Sequence, residues 1–233
     1  LLDFLAGLSG ALDLMSPEVV GHHKRVAYAA VRLAQRLDLP RQECTDLFMA
    51  GLLHEEGGIT LASRLAALQF EADGARHAEV GYRLLRQNPL LGEVALLVRH
   101  HHTASAHFER LGEDARTLYL ANILNLVDRL DVLYVRFGMS DPRELLQRLR
   151  QRAPAQFLPE LVDGLAELAG DRIFWLGLAS SDPAAILGAE QGLFIQRGLS
   201  RGQLIQAAHS FSQVIDFRSR FTATHSCGVA ETA

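Results

Sequence analysis

The chain has 233 residues, 48% of them apolar, which is enough for one large domain or for one domain and part of a second. Its formal net charge of −4 gives no reason to expect nucleic acid or an anionic membrane as a partner. The two cysteines, Cys44 and Cys227, cannot form a disulfide framework and fit a reducing cytoplasm, and no apolar run is long enough to span a membrane.

The hydrophobic pattern predicts an all-α fold, because nearly every segment has helical periodicity and no segment alternates like a strand. The apolar opening segment lacks the basic leader of a signal peptide and is interpreted as a helix. Capping residues before a proline predict helix starts at Ser16-Pro17, Asp38-Leu39-Pro40, Asp141-Pro142 and Asp182-Pro183. The predicted helices are Leu1–Leu14, Pro17–Leu37, Arg41–Leu53, Leu61–Glu71, Ala75–Arg86, Leu90–His102, Arg116–Phe137, Pro142–Gln151, Leu158–Ala169 and Arg201–Phe217.

The chain contains one internal repeat. The segment Leu12–Ala30 resembles the segment Ile215–Ala233 at a constant offset, which pairs His22 with His225 and several small residues with one another. A matched histidine inside a matched frame is hard to attribute to chance. The chain is therefore expected to end just inside a second copy of its own first module.

Ligand-type side chains fall on the apolar faces of five predicted helices. His22 lies on the stripe of Val26 and Ala30, and His54 ends its helix in line with Leu47 and Ala50. His77, His101 and His102 have similar apolar neighbours, and Asp128 is framed by Ala121, Leu124, Val132 and Val135. An unpaired carboxylate that faces a core costs on the order of several kcal/mol, so Asp128 needs a partner such as a cation.

Each of these residues also has a simpler interpretation. A single histidine on an apolar face is usually a core residue, and the run His100-His101-His102 is compatible with a solvated patch. Five helices that each turn a histidine or aspartate inward favour a metal site instead. Imidazole and carboxylate together suit zinc, iron, manganese or nickel, and the lack of an inward cysteine argues against a structural zinc site.

Five segments resemble, in order, the motifs of the HD superfamily of metal-dependent phosphohydrolases, and the residues within these segments resemble those of its HD-GYP branch. The segments are GHHKRVAYAAVRLAQRLDLP (Gly21–Pro40), GLLHEEGGI (Gly51–Ile59), RHAEVGYRLL (Arg76–Leu85), VRHHH (Val98–His102) and ILNLVDRLDVL (Ile123–Leu133). They resemble the family's H-x-x-R-V, H-D-x-G-K-I, H-x-x-x-G, paired-histidine and D-x-x-D-A-L segments. Each motif is weak alone, but five in the right order are specific.

The resemblance implies a bundle of about five core helices around two divalent transition-metal ions (iron, manganese or zinc) that activate water for phosphoester hydrolysis. It assigns one ion to His22, His54, Glu55 and Asp128, and the other to Glu55, His77, His101 and His102. Glu55 and Asp128 are the implied catalytic residues, and Arg25 and Asp131 the implied substrate-binding residues. The implied substrate is a small phosphoester or a cyclic dinucleotide.

The implied organisation is an HD-type metal-binding domain over residues 1–138, accessory helices over 139–202, and the start of a second HD-like module over 203–233. An exposed apolar tail helix from that second module would favour a homodimer. The cytoplasm is the expected location.

The chain departs from the family pattern at three places. Glu55 replaces the aspartate of the HD pair, Gly58 stands where a phosphate-facing lysine is expected, and Thr103–Arg116 replaces the E-x-x-D-G-x-G-Y-P loop that shapes the pocket for cyclic dinucleotides. These departures weaken the case for cyclic di-GMP as the substrate. Two alternatives to an enzyme therefore stay open: a catalytically degenerate HD module that serves signal relay or dimerisation, and a structural helical domain with ordinary core histidines.

Overall fold

The computed structural model describes residues 1–2, 5–7, 9, 20–58, 75–138, 142–195, 198–205 and 208. Within these ranges the regular structure is helical and contains no strand, so the predicted all-α class is confirmed. The helices are α1 (His22–Arg36), α2 (Arg41–Leu53), α3 (Ala75–Leu85), α4 (Gly92–His100), α5 (Ala115–Phe137), α6 (Pro142–Arg150), α7 (Pro159–Ala169), α8 (Arg172–Leu178) and α9 (Pro183–Gly188). Two short 3₁₀ helices, Pro89–Leu91 and Ser105–Arg110, flank α4.

Helix α1 is the centre of the bundle. It packs against α2 and α5 on one side and against α7, α8 and α9 on another. Small and β-branched residues fill its middle, and Val26, Ala27, Ala30 and Val31 are fully buried. Such side chains let neighbouring helices approach α1 closely from several directions, which a helix with one apolar stripe would not allow.

The crossing of α1 and α2 determines where the first two candidate ligands lie. At this crossing a Cβ on Gly51 would meet the backbone of Ala27 at 2.5 Å, so the two helices touch at a glycine. His22 lies one turn before the contact on α1, and His54 follows the contact by three residues at the end of α2. The close approach therefore holds both rings on the same side of the bundle.

Helices α3, α4 and α5 complete the other half of the candidate site. Helix α4 packs between α3 and α5 and also contacts α2. It ends at His100, so the predicted helix Leu90–His102 is too long at both ends. Because His101 and His102 lie in the turn after α4, both rings can point back towards α3.

Several sequence predictions about helix ends need correction. Helix α1 begins after Gly21, whose φ of +72° is in the left-handed region, and residues 17–19 of the predicted helix Pro17–Leu37 lie outside the described residues. Asp38 does not cap α2, because Pro40 occupies the N-cap position and Asp38 has a φ of +53°. Asp182 does cap α9, as predicted, by accepting from Ala185 N at 3.2 Å.

The accessory helices pack on α1 and α5. Leu161 and Leu165 on α7 are fully buried and join this helix to the hydrophobic core. Helix α8 was not predicted, and only the start of α9 was predicted, because seven and six residues are too few to display a periodic pattern. Trp175 anchors α8 by donating from Nε1 to the carbonyl oxygen of Ala169 at 2.8 Å.

Other predicted elements lie wholly or mostly outside the described residues. They are the helix Leu61–Glu71, most of Leu1–Leu14, the second half of the internal repeat and the end of Arg201–Phe217; residues 201–205 and 208 of the last are helical. Among the described helices, none has the length and apolar character needed to cross a membrane.

Candidate metal centre

Three buried donor atoms from three helices form the first ligand group, which consists of His22, His54 and Asp128. His22 begins α1, His54 follows the last residue of α2, and Asp128 lies in α5. The two Nε2 atoms are 3.2 Å apart, and Asp128 Oδ1 lies 3.5 Å from that of His22 and 3.8 Å from that of His54. One ion can therefore be reached by all three atoms.

Hydrogen bonds on the outer side of each ring determine which nitrogen faces this point. His22 Nδ1 donates to Asp131 Oδ2 at 2.7 Å, and His54 Nδ1 donates to the carbonyl oxygen of Gly51 at 2.9 Å. A carboxylate and a carbonyl oxygen only accept, so each neutral ring keeps its lone pair on Nε2. When both rings are neutral, two lone pairs face each other 3.2 Å apart, an arrangement that a cation bound between them would stabilise.

The second ligand group consists of Glu55, His77, His101 and His102. His77 Nε2 is central: it lies 3.2 Å from Glu55 Oε1, 3.3 Å from His101 Nε2 and 3.0 Å from His102 Nε2. His101 Nδ1 donates to the carbonyl oxygen of Val98 at 2.6 Å, so its Nε2 also carries a lone pair. This group offers three imidazole nitrogens and one carboxylate oxygen.

The two ligand groups are neighbours. The rings of His54 and His101 are 5.3 Å apart between centroids, and Glu55 directly follows His54 in the chain. Glu55 Oε1 faces the second group, whereas Glu55 Oε2 is buried without a hydrogen-bond partner, as is Asp128 Oδ1 in the first group. Buried carboxylate oxygens without donors are costly, so these two atoms fit cation ligands.

A close contact places the turn that carries Glu55. A Cβ on Gly57 would lie 1.9 Å from the carbonyl oxygen of His77 and 2.5 Å from Gly81 N, so the turn presses directly on the backbone of α3. Only glycine fits at this distance. The contact explains why Gly57 follows the two glutamates, and it holds Glu55 and His77 in one group.

The carboxylates of the site are held ionised. Burial alone would raise the pKa of Glu55, but the neighbouring imidazoles of His101 and His77 outweigh burial and hold that pKa well below its ordinary value. Burial would likewise raise the pKa of Asp128, but the Arg129 guanidinium and the rings of His54 and His22 outweigh burial and lower this pKa below its ordinary value. Both carboxylates are therefore in the charged form that binds a metal ion.

The histidines divide into two classes. Burial holds the pKa of His54 and of His102 well below the ordinary histidine value, so these rings are neutral at neutral pH. Burial also disfavours the charged forms of His22 and His77, but the hydrogen bond with Asp131 and that with Glu55 outweigh it and raise their pKa. Both groups combine imidazole nitrogens with ionised carboxylates, and this donor set fits divalent transition metals.

Arg25 and Asp131, predicted to bind substrate, lie behind His22. Asp131 is buried and accepts from His22 Nδ1, from Arg25 Nε at 2.6 Å and from Arg25 Nη2 at 3.0 Å. The structure therefore brings all seven predicted metal ligands into two groups and places Asp131 against a ligand ring. Whether Arg25 or Asp131 contacts a substrate stays a prediction.

Sequence reasoning did not single out Arg129. This residue is 3% exposed and contacts Asp128 directly. A signal for it was present, because Arg129 has Leu126 and Leu133 at helical spacing and interrupts a continuous buried run of α5. A charged side chain at such a position needs a buried partner.

Comparisons with known proteins agree with this geometry. Residues 19–133 match the family model described as HD domain. The 3'3'-cGAMP-specific phosphodiesterase 1 of Vibrio cholerae serotype O1 is 24% identical over 235 residues, covering 96% of this chain and 54% of the relative. A crystal structure of a cyclic GMP-AMP-specific phosphodiesterase of V. cholerae superposes with a TM-score of 0.77 and 18% identity, over 97% of this chain and 62% of that chain.

The chain thus spans between half and two thirds of the length of these two proteins. The similarity to the solved structure supports the fold, while the family match covers the sequence that carries the site. Because residues 19–133 contain every member of both ligand groups, the match to the HD-domain family covers the candidate metal centre as well as the helices that carry it.

Proposed function

We propose that this chain is a metal-dependent phosphodiesterase module of the HD-GYP kind that acts on a cyclic dinucleotide. The observation that carries the proposal is the pair of adjacent, buried ligand groups, with ionised carboxylates and inward-facing imidazole nitrogens. A structural helical domain has no need for seven such donors at two neighbouring points, so the metal-centre interpretation is preferred over ordinary core histidines.

In this proposal His22, His54 and Asp128 hold one divalent ion, and His77, His101 and His102 hold the other. Glu55 supplies Oε1 to the second group and has Oε2 available for the first. The ions, when bound, supply Lewis-acid activation of the phosphoester and of water. Asp131 and Arg25 orient His22, while the buried walls of the site limit access of bulk water.

Support for a cyclic dinucleotide comes from the relatives, which are named as cyclic GMP-AMP phosphodiesterases. The sequence differs from the family pattern after His102, where the segment 103–110 ends in a 3₁₀ helix. Ser105 N and Ala106 N donate to the carbonyl oxygens of Gln156 and Ala155, and Ser105 Oγ donates to that of Pro154. This altered segment, held in place directly after the ligand pair, supports a selectivity other than that for cyclic di-GMP.

The test is hydrolysis by the metal-loaded protein of bis-p-nitrophenyl phosphate, 3'3'-cGAMP and cyclic di-GMP, compared at equal concentrations. The proposal expects turnover of the first two, with 3'3'-cGAMP preferred over cyclic di-GMP, and loss of turnover in Asp128→Ala and His77→Ala. Arg150→Ala, at an exposed position on α6 that pairs with Asp163, should retain the wild-type rate. Turnover that persists in both Asp128→Ala and His77→Ala would contradict the assignment of hydrolysis to this site.

The second candidate is a catalytically degenerate HD module that serves signal relay or dimerisation. It is favoured by Glu55 and Gly58, which stand where the family pattern has aspartate and lysine, and by the altered segment after His102. Stoichiometric metal without hydrolysis of any of the three compounds would support this candidate over the enzyme. Measurable hydrolysis that depends on Asp128 would exclude it.

A further inference from the structure

Arg129 contributes a buried positive charge at the edge of the first ligand group. Its Nε and Nη2 both donate to one oxygen of Asp128, Oδ2, at 3.0 Å and 2.5 Å. Arg129 is 3% exposed and Asp128 is 1% exposed, so the pair is shielded from water. Charge-assisted hydrogen bonds to the same carboxylate oxygen are short and strongly directional.

The other oxygen of Asp128 has a different environment. Asp128 Oδ1 has no hydrogen-bond partner and faces His22 Nε2 at 3.5 Å and His54 Nε2 at 3.8 Å. Because Oδ2 is occupied by two N–H donors, rotation of the carboxylate that would bring both oxygens to an ion requires those bonds to break. The geometry therefore favours one oxygen as the ligand.

We propose that Arg129 is a positioning residue that presents Asp128 to the first ion through Oδ1 alone. The first group then offers two imidazole nitrogens and a single oxygen of Asp128. With Oδ2 committed to Arg129, Asp128 cannot chelate the ion through both oxygens, and this leaves one more coordination position for water or a substrate oxygen. The inference rests on the proposed metal-dependent function.

The same contact also balances charge. Without an ion, a buried carboxylate that lacks a compensating charge would be destabilising, and Arg129 provides that charge. Arg129 therefore lets the first group stay assembled before an ion binds. Preassembled ligands bind an ion with less rearrangement, which is how partners of ligating residues support metal affinity.

The test is titration of metal-depleted protein with Mn²⁺ or Co²⁺, followed by calorimetry and by the Co²⁺ absorption spectrum. His77→Ala serves as the background, because it removes the central donor of the second group and leaves the first group to be measured. In this background, Arg129→Met should weaken binding by about 10- to 100-fold, as is typical for partners of ligating side chains. Arg129→Lys keeps the positive charge but loses the pair of N–H donors to Asp128 Oδ2, and should weaken metal binding by an intermediate factor.

Arg99→Met is the matched control, since Arg99 pairs with Glu79 and Glu113 at the surface and should leave binding unchanged. Circular dichroism verifies that each variant folds, and if Arg129→Met does not fold, Arg129→Lys must itself weaken binding by about threefold or more. Unchanged or tighter binding in the folded Arg129 variants would overturn the inference while leaving the proposed function intact. A wild-type protein that binds no ion would overturn both.

Discussion

At the residue scale, the site is organised by the hydrogen bonds on the far side of each ring. His22, His54 and His101 each commit Nδ1 to an acceptor, and this commitment turns Nε2 inward. For His54 and His101 the acceptor is a backbone carbonyl three residues earlier, so the helix end itself sets the tautomer. For His22 the acceptor is the side-chain carboxylate of Asp131 on α5, so a substitution at Asp131 can change how the His22 ring is held.

Asp131→Asn should therefore weaken metal binding at the first ligand group by about 10- to 100-fold, because the amide provides a poorer acceptor for His22 Nδ1 and for Arg25. Calorimetric titration with Mn²⁺ measures this change. Asp163→Asn, at an exposed ion pair with Arg150, is the control that should not alter affinity. Equal affinity in Asp131→Asn and wild type would show that Asp131 does not orient His22.

The titration of the histidines predicts how the metal-free protein responds to acid. Burial lowers the pKa of His54 and His102 in the folded protein. Below the unfolded pKa of about 6.5, these two residues bind protons in the unfolded chain but not in the folded one, so the free energy of unfolding falls. His22 and His77 act in the opposite sense. Their raised pKa contributes stability that is present below about 6.5 and is lost as the pH rises through the folded value.

The carboxylates add to the loss in acid. The lowered pKa of Glu55 and Asp128 contributes stability above the unfolded value of about 4, and this contribution disappears as the pH falls towards the folded value. Urea unfolding of EDTA-treated protein should give a smaller free energy of unfolding at about pH 5 than at about pH 6.5. A free energy that increases over this interval on acidification would contradict these assignments.

At the element scale, glycine contacts position the ligands. Gly51 lets α2 touch α1, and Gly57 lets the turn after α2 touch α3. The sequence predicted the presence of α1 to α5, because amphipathic periodicity is strong over helices of this length. It could not predict that the turn 54–57 presses on α3, because this contact depends on tertiary packing that no local pattern encodes.

Gly57→Ala should separate Glu55 from His77, because the added Cβ would overlap the carbonyl oxygen of His77. Overpacking of this kind costs about 1–3 kcal/mol in stability. We also expect metal binding at the second group to be weakened or lost. Gly92→Ala is the matched control, since a Cβ at this position meets nothing within 4 Å. Thermal unfolding and metal content measure both effects, and equal behaviour of the two variants would refute the proposed packing.

Helix ends were predicted less well than helices. Asp128 was expected in an apolar frame that includes Val135, but Val135 is 56% exposed because the end of α5 extends beyond the core. His101 and His102 were placed in a helix, although the turn after α4 is what directs their rings. The ligand types and their order were readable from the sequence, whereas the turns that aim them and the role of Arg129 required the structure.

At the scale of the whole molecule, the accessory helices are coupled to the metal centre through Asn122. This fully buried residue of α5 donates from Nδ2 to the carbonyl oxygen of Gln156 at 3.0 Å and accepts from Leu158 N at 2.9 Å. The segment of residues 153–158 in turn holds Ser105 and Ala106, which follow the ligand pair His101-His102. The connection of α6 and α7 therefore holds the segment that directly follows the ligand pair His101-His102.

Asn122→Ala should destabilise the protein by about 1–3 kcal/mol, because it leaves one partly buried carbonyl and one partly buried N–H without the amide that pairs with them. Chemical denaturation followed by tryptophan fluorescence and by circular dichroism measures the loss. Since Trp175 lies on α8 and the circular dichroism reports mainly the core helices, the two transitions should coincide in the wild type. Separate transitions would show that the accessory helices fold independently of the site.

The predicted domain bounds, the second module after residue 203 and the homodimer stay predictions. Leu204 and Ile205, at the start of the predicted second module, are 46% and 59% exposed. Sedimentation of the chain over a concentration range would test the dimer. A constant monomeric mass would contradict it.

The central claim is that the two ligand groups hold two divalent ions. The most direct measurement is metal per chain by inductively coupled plasma mass spectrometry, on protein purified without chelator or added metal, for wild type and Asp128→Ala in parallel. We predict about two equivalents of iron, manganese or zinc in the wild type, and loss of at least the ion of the first group in the variant. No metal in the wild type, even after reconstitution, would contradict the account and leave a helical module with inherited histidines.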